Sequence, residues 1–270
     1  MDLGRLRSLR GFIVDLDGTT YLGHRLIPGA REFFSTLSQS GRRYVFVTNN
    51  SSKSGDLYEN HLRRLGLTPA YGQVLTSGEA TAMFLARRGD RRVYVVGTSA
   101  LEMEMTRAGF ALNAEAPDCV VLGFDRTLTY AKLEIATRLI RRGVPFIATH
   151  PDRTCPTEDG YVPDCGAMIA LLEAATGVSP IIVGKPEPLL AQMALEKLAL
   201  PAPEVAVIGD RLYTDMEMGH RAGTATILVL SGETTKAMVD AAARVPDFVV
   251  ADLGALAAAM QGPVPTALTA

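Results

Sequence analysis

The sequence predicts an α/β protein built on largely parallel sheets. Three observations predict it. Short, continuous Val- and Ile-rich runs recur along the chain, the pattern of strands covered on both faces rather than on one. Segments with apolar residues at helical spacing sit between most of these runs. With 270 residues, 47% hydrophobic and 21% charged, there is enough chain for one large domain or two smaller ones.

The first run is Phe12-Ile13-Val14, followed by Asp15 and a glycine-containing turn, after which Ala30, Phe33, Phe34 and Leu37 mark a helix. Residues 44–47 form the second run. It is closed by Thr48-Asn49-Asn50-Ser51-Ser52, and Tyr58, Leu62 and Leu65 mark the next helix. Further strands are expected at 93–96, 119–122, 146–149, 181–183, 205–208, 226–230 and 248–250. The Ala- and Pro-rich tail after about Gly262 is expected to fray. Parallel sheets bind ligands at the carboxyl ends of their strands, so the chemistry is to be sought there.

Composition narrows the function classes. A formal net charge of -2 and no long run of Lys and Arg leave out the electrostatic footprint of a nucleic-acid polymer partner. Cys119, Cys155 and Cys165 form no C-x-x-C pair and are too few for a disulfide framework, which fits a reducing compartment. No run of about 18 apolar residues offers a membrane span, and the amino terminus lacks the apolar stretch of a signal peptide. The expectation is a cytoplasmic protein without a membrane partner.

Four strand ends carry candidate chemistry. The first is Asp15-Leu16-Asp17-Gly18-Thr19, where two carboxylates two residues apart in an extended segment would point the same way and could face one phosphate. A solvated acidic turn is the alternative. The second is Thr48-Asn49, a hydroxyl and free backbone N–H groups at a helix entrance; these residues also fit an ordinary N-cap. The third is Gly184-Lys185-Pro186, which would put an ammonium group beside a strand end, although a lone Lys is usually a surface residue. The fourth is Gly209-Asp210-Arg211-Leu212-Tyr213-Thr214-Asp215, with Asp210 as a hard oxygen ligand suited to Mg²⁺ and Asp215 either its outer-shell partner or the cap of the next helix.

The ordered set DLDGT, TNN, GK and GDRLYTD resembles the haloacid dehalogenase (HAD) superfamily, and the surrounding text, DLDGTTYLG, FVTNNSS, GFDRTLTYAKL, FIATHPD, PTEDG, VGKPEP and GDRLYTDMEMG, resembles its NagD-like, nitrophenylphosphatase branch over nearly the whole chain. The resemblance implies a Rossmann-like parallel-sheet core, residues 1–78 and 181–270, carrying an inserted α/β cap of the C2 type, residues 79–180, that closes to exclude water. It implies that Asp15 attacks phosphorus and that Asp17 is the general acid and base. Thr48, Asn49, Lys185 and Gly18 would hold the phosphoryl group, with Mg²⁺ on Asp15, the backbone carbonyl of Asp17 and Asp210. A carboxylic acid at Asp17, where an alkoxide must be protonated, points to phosphate esters rather than carbon–halogen or carbon–phosphorus bonds.

By the same resemblance the leaving group of a small phosphate ester is read by Thr149-His150-Pro151-Asp152 and Pro163-Asp164-Cys165-Gly166-Ala167. Here the sequence departs from the family: His150 stands where Asn is usual, and Asp164-Cys165 replace a more common Gly and small residue. His150 is either a group titrating near neutral pH against an anionic substrate or a hydrogen-bonded loop residue, and Cys165 reads as structural. A phosphomutase would share every core element. A non-catalytic, phosphate-binding regulatory module is the reading from another class. Caps of this kind offer surfaces for pairing, so a homodimer is kept beside a monomer.

Overall fold

The computed structural model describes residues 2–261 except Tyr71 and Glu158; the tail after Gly262 lies outside the described residues. The chain divides into two compact units, the first comprising 1–47, 62–73 and 191–270, the second 48–61 and 74–190.

In the first unit five parallel strands lie in the order Phe248–Val250, Ala225–Val229, Val205–Gly209, Gly11–Asp15 and Arg43–Thr48. Strand Gly11–Asp15 is buried at every position, as its unbroken apolar run requires. Its neighbours come from opposite directions along the chain, Arg43–Thr48 on one side and Val205–Gly209 on the other. The topological switch point of the sheet therefore falls beside Asp15, at the carboxyl end where open α/β sheets bind ligands.

Helix Ala30–Gln39 buries Ala30, Phe33, Phe34 and Leu37, the four positions that its spacing assigns to one face. Phe33 meets Phe12 edge-on at 5.9 Å between centroids and Phe34 at 5.2 Å, and Phe34 continues to Phe46 at 4.9 Å. These rings lock the helix onto the two strands that lead into the first two motifs. Phe33→Ala is expected to remove about 3–5 kcal/mol of stability, read as a lower urea midpoint with little change of slope.

The second unit is also a parallel sheet, ordered Ile181–Ile182, Phe146–Ala148, Cys119–Leu122, Arg92–Val96 and Ala111–Leu112. Its core joins Val120, Leu122, Phe146 and Ala148 of the strands to Leu139 and Ile140 of helix Tyr130–Arg141 and to Met168 and Leu172 of helix Cys165–Thr176. An antiparallel hairpin pairs Thr154–Thr157 with Gly160–Pro163.

Strands were expected at all nine apolar runs, and each run holds one. The expectation omits Tyr21–Leu22 with Arg25–Leu26, Val74–Thr76, Ala111–Leu112 and the hairpin just described. All are two to four residues long, too short for either period to be legible.

Glu104 on helix Ser99–Arg107 accepts from the backbone N–H of Gly55 at 3.1 Å and from the Thr76 hydroxyl at 3.0 Å. Burial pushes its carboxyl up to about 7, against those hydrogen bonds and with help from Glu79 and Asp56. Between the ordinary carboxylate value and about 7 the folded state holds a proton that the unfolded state has lost, so stability falls as pH rises through that window. The loss attributable to Glu104 is on the order of 3 kcal/mol. Glu104→Gln is expected to gain that amount on wild type between pH 5 and pH 8, measured by urea unfolding at both values.

Candidate active site

Strand Gly11–Asp15 ends at the first aspartate, and the extended geometry ends with it. The Leu16 carbonyl accepts from Thr20 N at 2.8 Å and Tyr21 N at 3.1 Å, closing a turn, while the Leu16 side chain is fully buried. Asp17 lies in that turn and is exposed, so the expectation that both carboxylates share one extended strand face is corrected. Tyr21 Oη reaches Asp17 Oδ2 at 3.4 Å. Gly18 has φ +84°, and a Cβ there would come within 2.5 Å of Asp210 Oδ2, so both backbone and space require glycine.

Asp210 follows strand Val205–Gly209, the partner of Gly11–Asp15. Its Oδ2 accepts from Glu233 N at 2.7 Å and its Oδ1 from the Thr19 hydroxyl at 3.3 Å. Asp215 sits in a π-helical turn, Leu212–Met216, and its Oδ2 accepts from Arg211 N at 3.2 Å. Asp15, Asp210 and Asp215 are all buried, and each offers an oxygen within 4.8 Å of the others. The Asp17 side chain is not in this group. Three buried carboxylates repel one another and call for a positive charge among them. All-oxygen donors with few protein ligands suit a small hard divalent cation.

The other predicted residues belong to the second unit. Thr48, Asn49, His150, Asp164, Cys165 and Lys185 are buried, and Asp152 is half-buried. Thr48 Oγ1 accepts from Asn50 N at 3.1 Å. The Asn49 amide accepts from Lys185 N at 2.8 Å and donates to the Lys185 carbonyl at 3.0 Å and to Asp152 Oδ2 at 3.1 Å. His150 Nε2 lies 3.0 Å from Asp164 Oδ1 and its Nδ1 2.9 Å from Thr149 Oγ1, so both ring nitrogens are engaged. Thr149 Oγ1 lies 2.9 Å from Ser51 Oγ, which accepts from Phe124 N at 3.0 Å. One set of donor directions satisfies the whole chain: Phe124 N–H to Ser51, Ser51 to Thr149, Thr149 to His150 Nδ1, and His150 Nε2–H to Asp164. This is the geometry of the hydrogen-bonded loop residue.

His150, Asp152 and Asp164 also bring ligand atoms within 4.8 Å of one another, but the His150–Asp164 hydrogen bond already accounts for their closeness. Asp164 caps helix Cys165–Thr176, accepting from Cys165 N at 2.6 Å. Burial pushes the Cys165 thiol up to about 12, so it is a neutral packing group at neutral pH. Glu233 escaped the sequence reading because it acts through its backbone N–H; Thr19, Ser51 and Thr149 stood within quoted motifs, but the contacts of their hydroxyls with Asp210, with Phe124 and with each other had no local signal.

Two family profiles match the chain, one described as haloacid dehalogenase-like hydrolase over residues 12–111 and one as HAD-hydrolase-like over residues 182–256. A 4-nitrophenylphosphatase from Thermotoga maritima is 46% identical, superposes with a TM-score of 0.93, and matches over 95% of this chain and 99% of its own. The chain belongs to the haloacid dehalogenase-like hydrolases. Within this superfamily it falls in the NagD-like branch: NagD from E. coli K-12 is 34% identical with a TM-score of 0.86, covering 91% of this chain and 97% of its own. An acid sugar phosphatase from Staphylococcus aureus is 39% identical over 232 residues, 85% of this chain and 90% of that protein. The protein is thus an HAD-type phosphatase. Among the described residues no helix is long and apolar enough to cross a membrane.

If the three buried carboxylates hold a divalent cation, Asp210→Asn is expected to weaken Mg²⁺ binding by at least ~10-fold, since both its oxygens are already fixed by Thr19 and Glu233 for that role. Titration calorimetry without substrate reads this directly.

Proposed function

We propose that this HAD phosphatase is Mg²⁺-dependent and cleaves a small phosphate monoester of the sugar-phosphate class through an aspartyl-phosphate on Asp15. The observation that carries the reading is the contrast at the first motif: Asp15 is buried with Asp210 and Asp215, whereas Asp17, two residues on, is exposed. Asp15, Asp210 and the Asp17 backbone carbonyl would hold Mg²⁺, with Asp215 in the outer shell. The ion supplies positive charge that offsets the charge on the transferring phosphoryl group.

An oxygen of Asp15 attacks phosphorus, and the bond to the leaving oxygen breaks as Asp17 gives that oxygen its proton. Asp17 then takes a proton from water, the water oxygen attacks the acyl-phosphate, and inorganic phosphate leaves with Asp15 restored. Thr48 and Lys185 hold the phosphoryl oxygens, and the backbone N–H at Asn49 adds to the cradle, whereas the Gly18 N–H is given to the Tyr21 carbonyl at 2.8 Å.

Residues 1–78 and 181–270 form the phosphoryl-transfer domain in this reading, and 79–180 the domain that selects the leaving group through the loops at Asp152 and Asp164. Burial of His150 and Cys165 supports a framing role for both within those loops. The sugar-phosphate class rests on the acid sugar phosphatase relative. A cytoplasmic setting is part of this reading.

Turnover of p-nitrophenyl phosphate with Mg²⁺ tests the chemistry. Asp15→Asn is expected to lose at least ~1,000-fold in kcat and to give no acid-stable phosphoprotein on quenching. Asp17→Asn should lose ~100- to 10,000-fold, the range of general acid–base catalysis, with less loss for p-nitrophenolate than for a sugar alkoxide because the better leaving group needs the proton less. Equal rates for Asp15→Asn and wild type would overturn the assignment.

A further inference from the structure

The Asn49 side chain has three polar contacts, and all go to protein. Its Oδ1 takes the Lys185 N–H at 2.8 Å, and its Nδ2 donates to the Lys185 carbonyl at 3.0 Å and to Asp152 Oδ2 at 3.1 Å. Two of the three therefore grip both backbone polar groups of one residue, as a strand partner would, one residue beyond Val183 and Gly184, whose N–H groups still go to the Ala148 and Thr149 carbonyls. The Asn49 carbonyl is in turn held by the Ser77 hydroxyl.

The grip leaves no slack beside it. Gly184 N donates to the Thr149 carbonyl at 2.8 Å, and a Cβ on Gly184 would lie 2.5 Å from that carbonyl, 2.6 Å from Asn49 Oδ1 and 3.1 Å from His150 Cβ. Asn49 and the residue before Lys185 thus meet across a space that admits no side chain.

We propose that Asn49 is a positioning residue: its side chain sets the backbone of Lys185 and, through Asp152, ties that lysine to the loop that meets the leaving group. This deepens the phosphatase reading and rests on it, because positioning Lys185 matters to turnover only if Lys185 holds the phosphoryl group. An amide is required chemically. One face must accept the Lys185 N–H while the other donates twice; Asp in its place would set a carboxylate oxygen against the Lys185 carbonyl and the Asp152 carboxylate.

The test is a double-mutant cycle on Asn49→Ala, Lys185→Ala and the pair, with inorganic phosphate binding in the presence of Mg²⁺ and p-nitrophenyl phosphate turnover as readouts. Asn49→Ala is expected to weaken phosphate binding and lower kcat/KM by ~10- to 100-fold with an unchanged near-ultraviolet circular dichroism spectrum. In the Lys185→Ala background it should change phosphate affinity by less than ~2-fold, because no ammonium is left to place. Asn49→Asp, close in shape, covers the case in which the alanine variant fails to fold, and should lose as much or more.

Equal losses from Asn49→Ala in both backgrounds, or wild-type affinity and turnover in Asn49→Ala and Asn49→Asp, would overturn the positioning role alone. Wild-type phosphate affinity and turnover in Lys185→Ala would overturn the phosphatase assignment of Lys185 beneath it. The two failures are therefore separable.

Discussion

Mutual repulsion of Asp15, Asp210 and Asp215 is the constraint around which the first unit is arranged. Unit charges within 4.8 Å cost roughly 3 kcal/mol per pair at an effective dielectric of about 20. Three such pairs approach the whole net stability of an ordinary domain, about 5–15 kcal/mol. A fold that buries all three must either protonate them or place a cation among them. The backbone N–H groups of Glu233 and Arg211 and the Thr19 hydroxyl fix two of the carboxylates, yet each supplies only a partial charge. A divalent ion bound among them would supply full positive charge, and its binding would couple the stability of the first unit to the chemistry proposed for it.

The second unit solves a different problem with neutral groups. Its polar residues cluster just beyond the carboxyl ends of parallel strands, where backbone N–H groups and carbonyls lose their ladder partners. Ser51 takes the N–H of Phe124, the Thr98 hydroxyl donates to the Ser52 carbonyl, and Asn49 closes on Lys185. The stretch Asn49–Asn50–Ser51–Ser52 therefore works as a short substitute strand made of side chains. That is why residues 48–61 fall with the second unit, a division that no hydropathy pattern announces.

How much could be read beforehand follows from the range of each interaction. Strand Gly11–Asp15 and helix Ala30–Gln39 were legible because burial imposes a period on consecutive residues. Asp210 was legible because it follows an apolar run, and its partner strand could be inferred from the α/β pattern. The exposure of Asp17 was not, since it depends on the turn that the Leu16 carbonyl closes with Thr20 and Tyr21 just after the strand. Nor was the burial of His150: the residues that satisfy its two ring nitrogens are its own neighbour Thr149 and Asp164, fourteen positions on, and only the folded loop pairs the latter with it. The destination of the Asn49 side chain, 136 positions away at Lys185, had no local signal at all.

Burial also separates the two aspartates of the first motif by what each can do. A nucleophile must keep a negative charge and a fixed direction, which the cluster with Asp210 and Asp215 supplies once a cation is present. A general acid must exchange protons with the leaving group and then with water, which a side chain packed among carboxylates could not do at a useful rate. In the proposed mechanism Asp17 would meet that requirement, since it stands in a turn, exposed and within reach of the Tyr21 hydroxyl. The single buried residue between them, Leu16, anchors the backbone in the apolar core and so holds the two carboxylates in different environments at a fixed offset. The division of labour proposed for these two identical side chains thus comes down to where one strand stops.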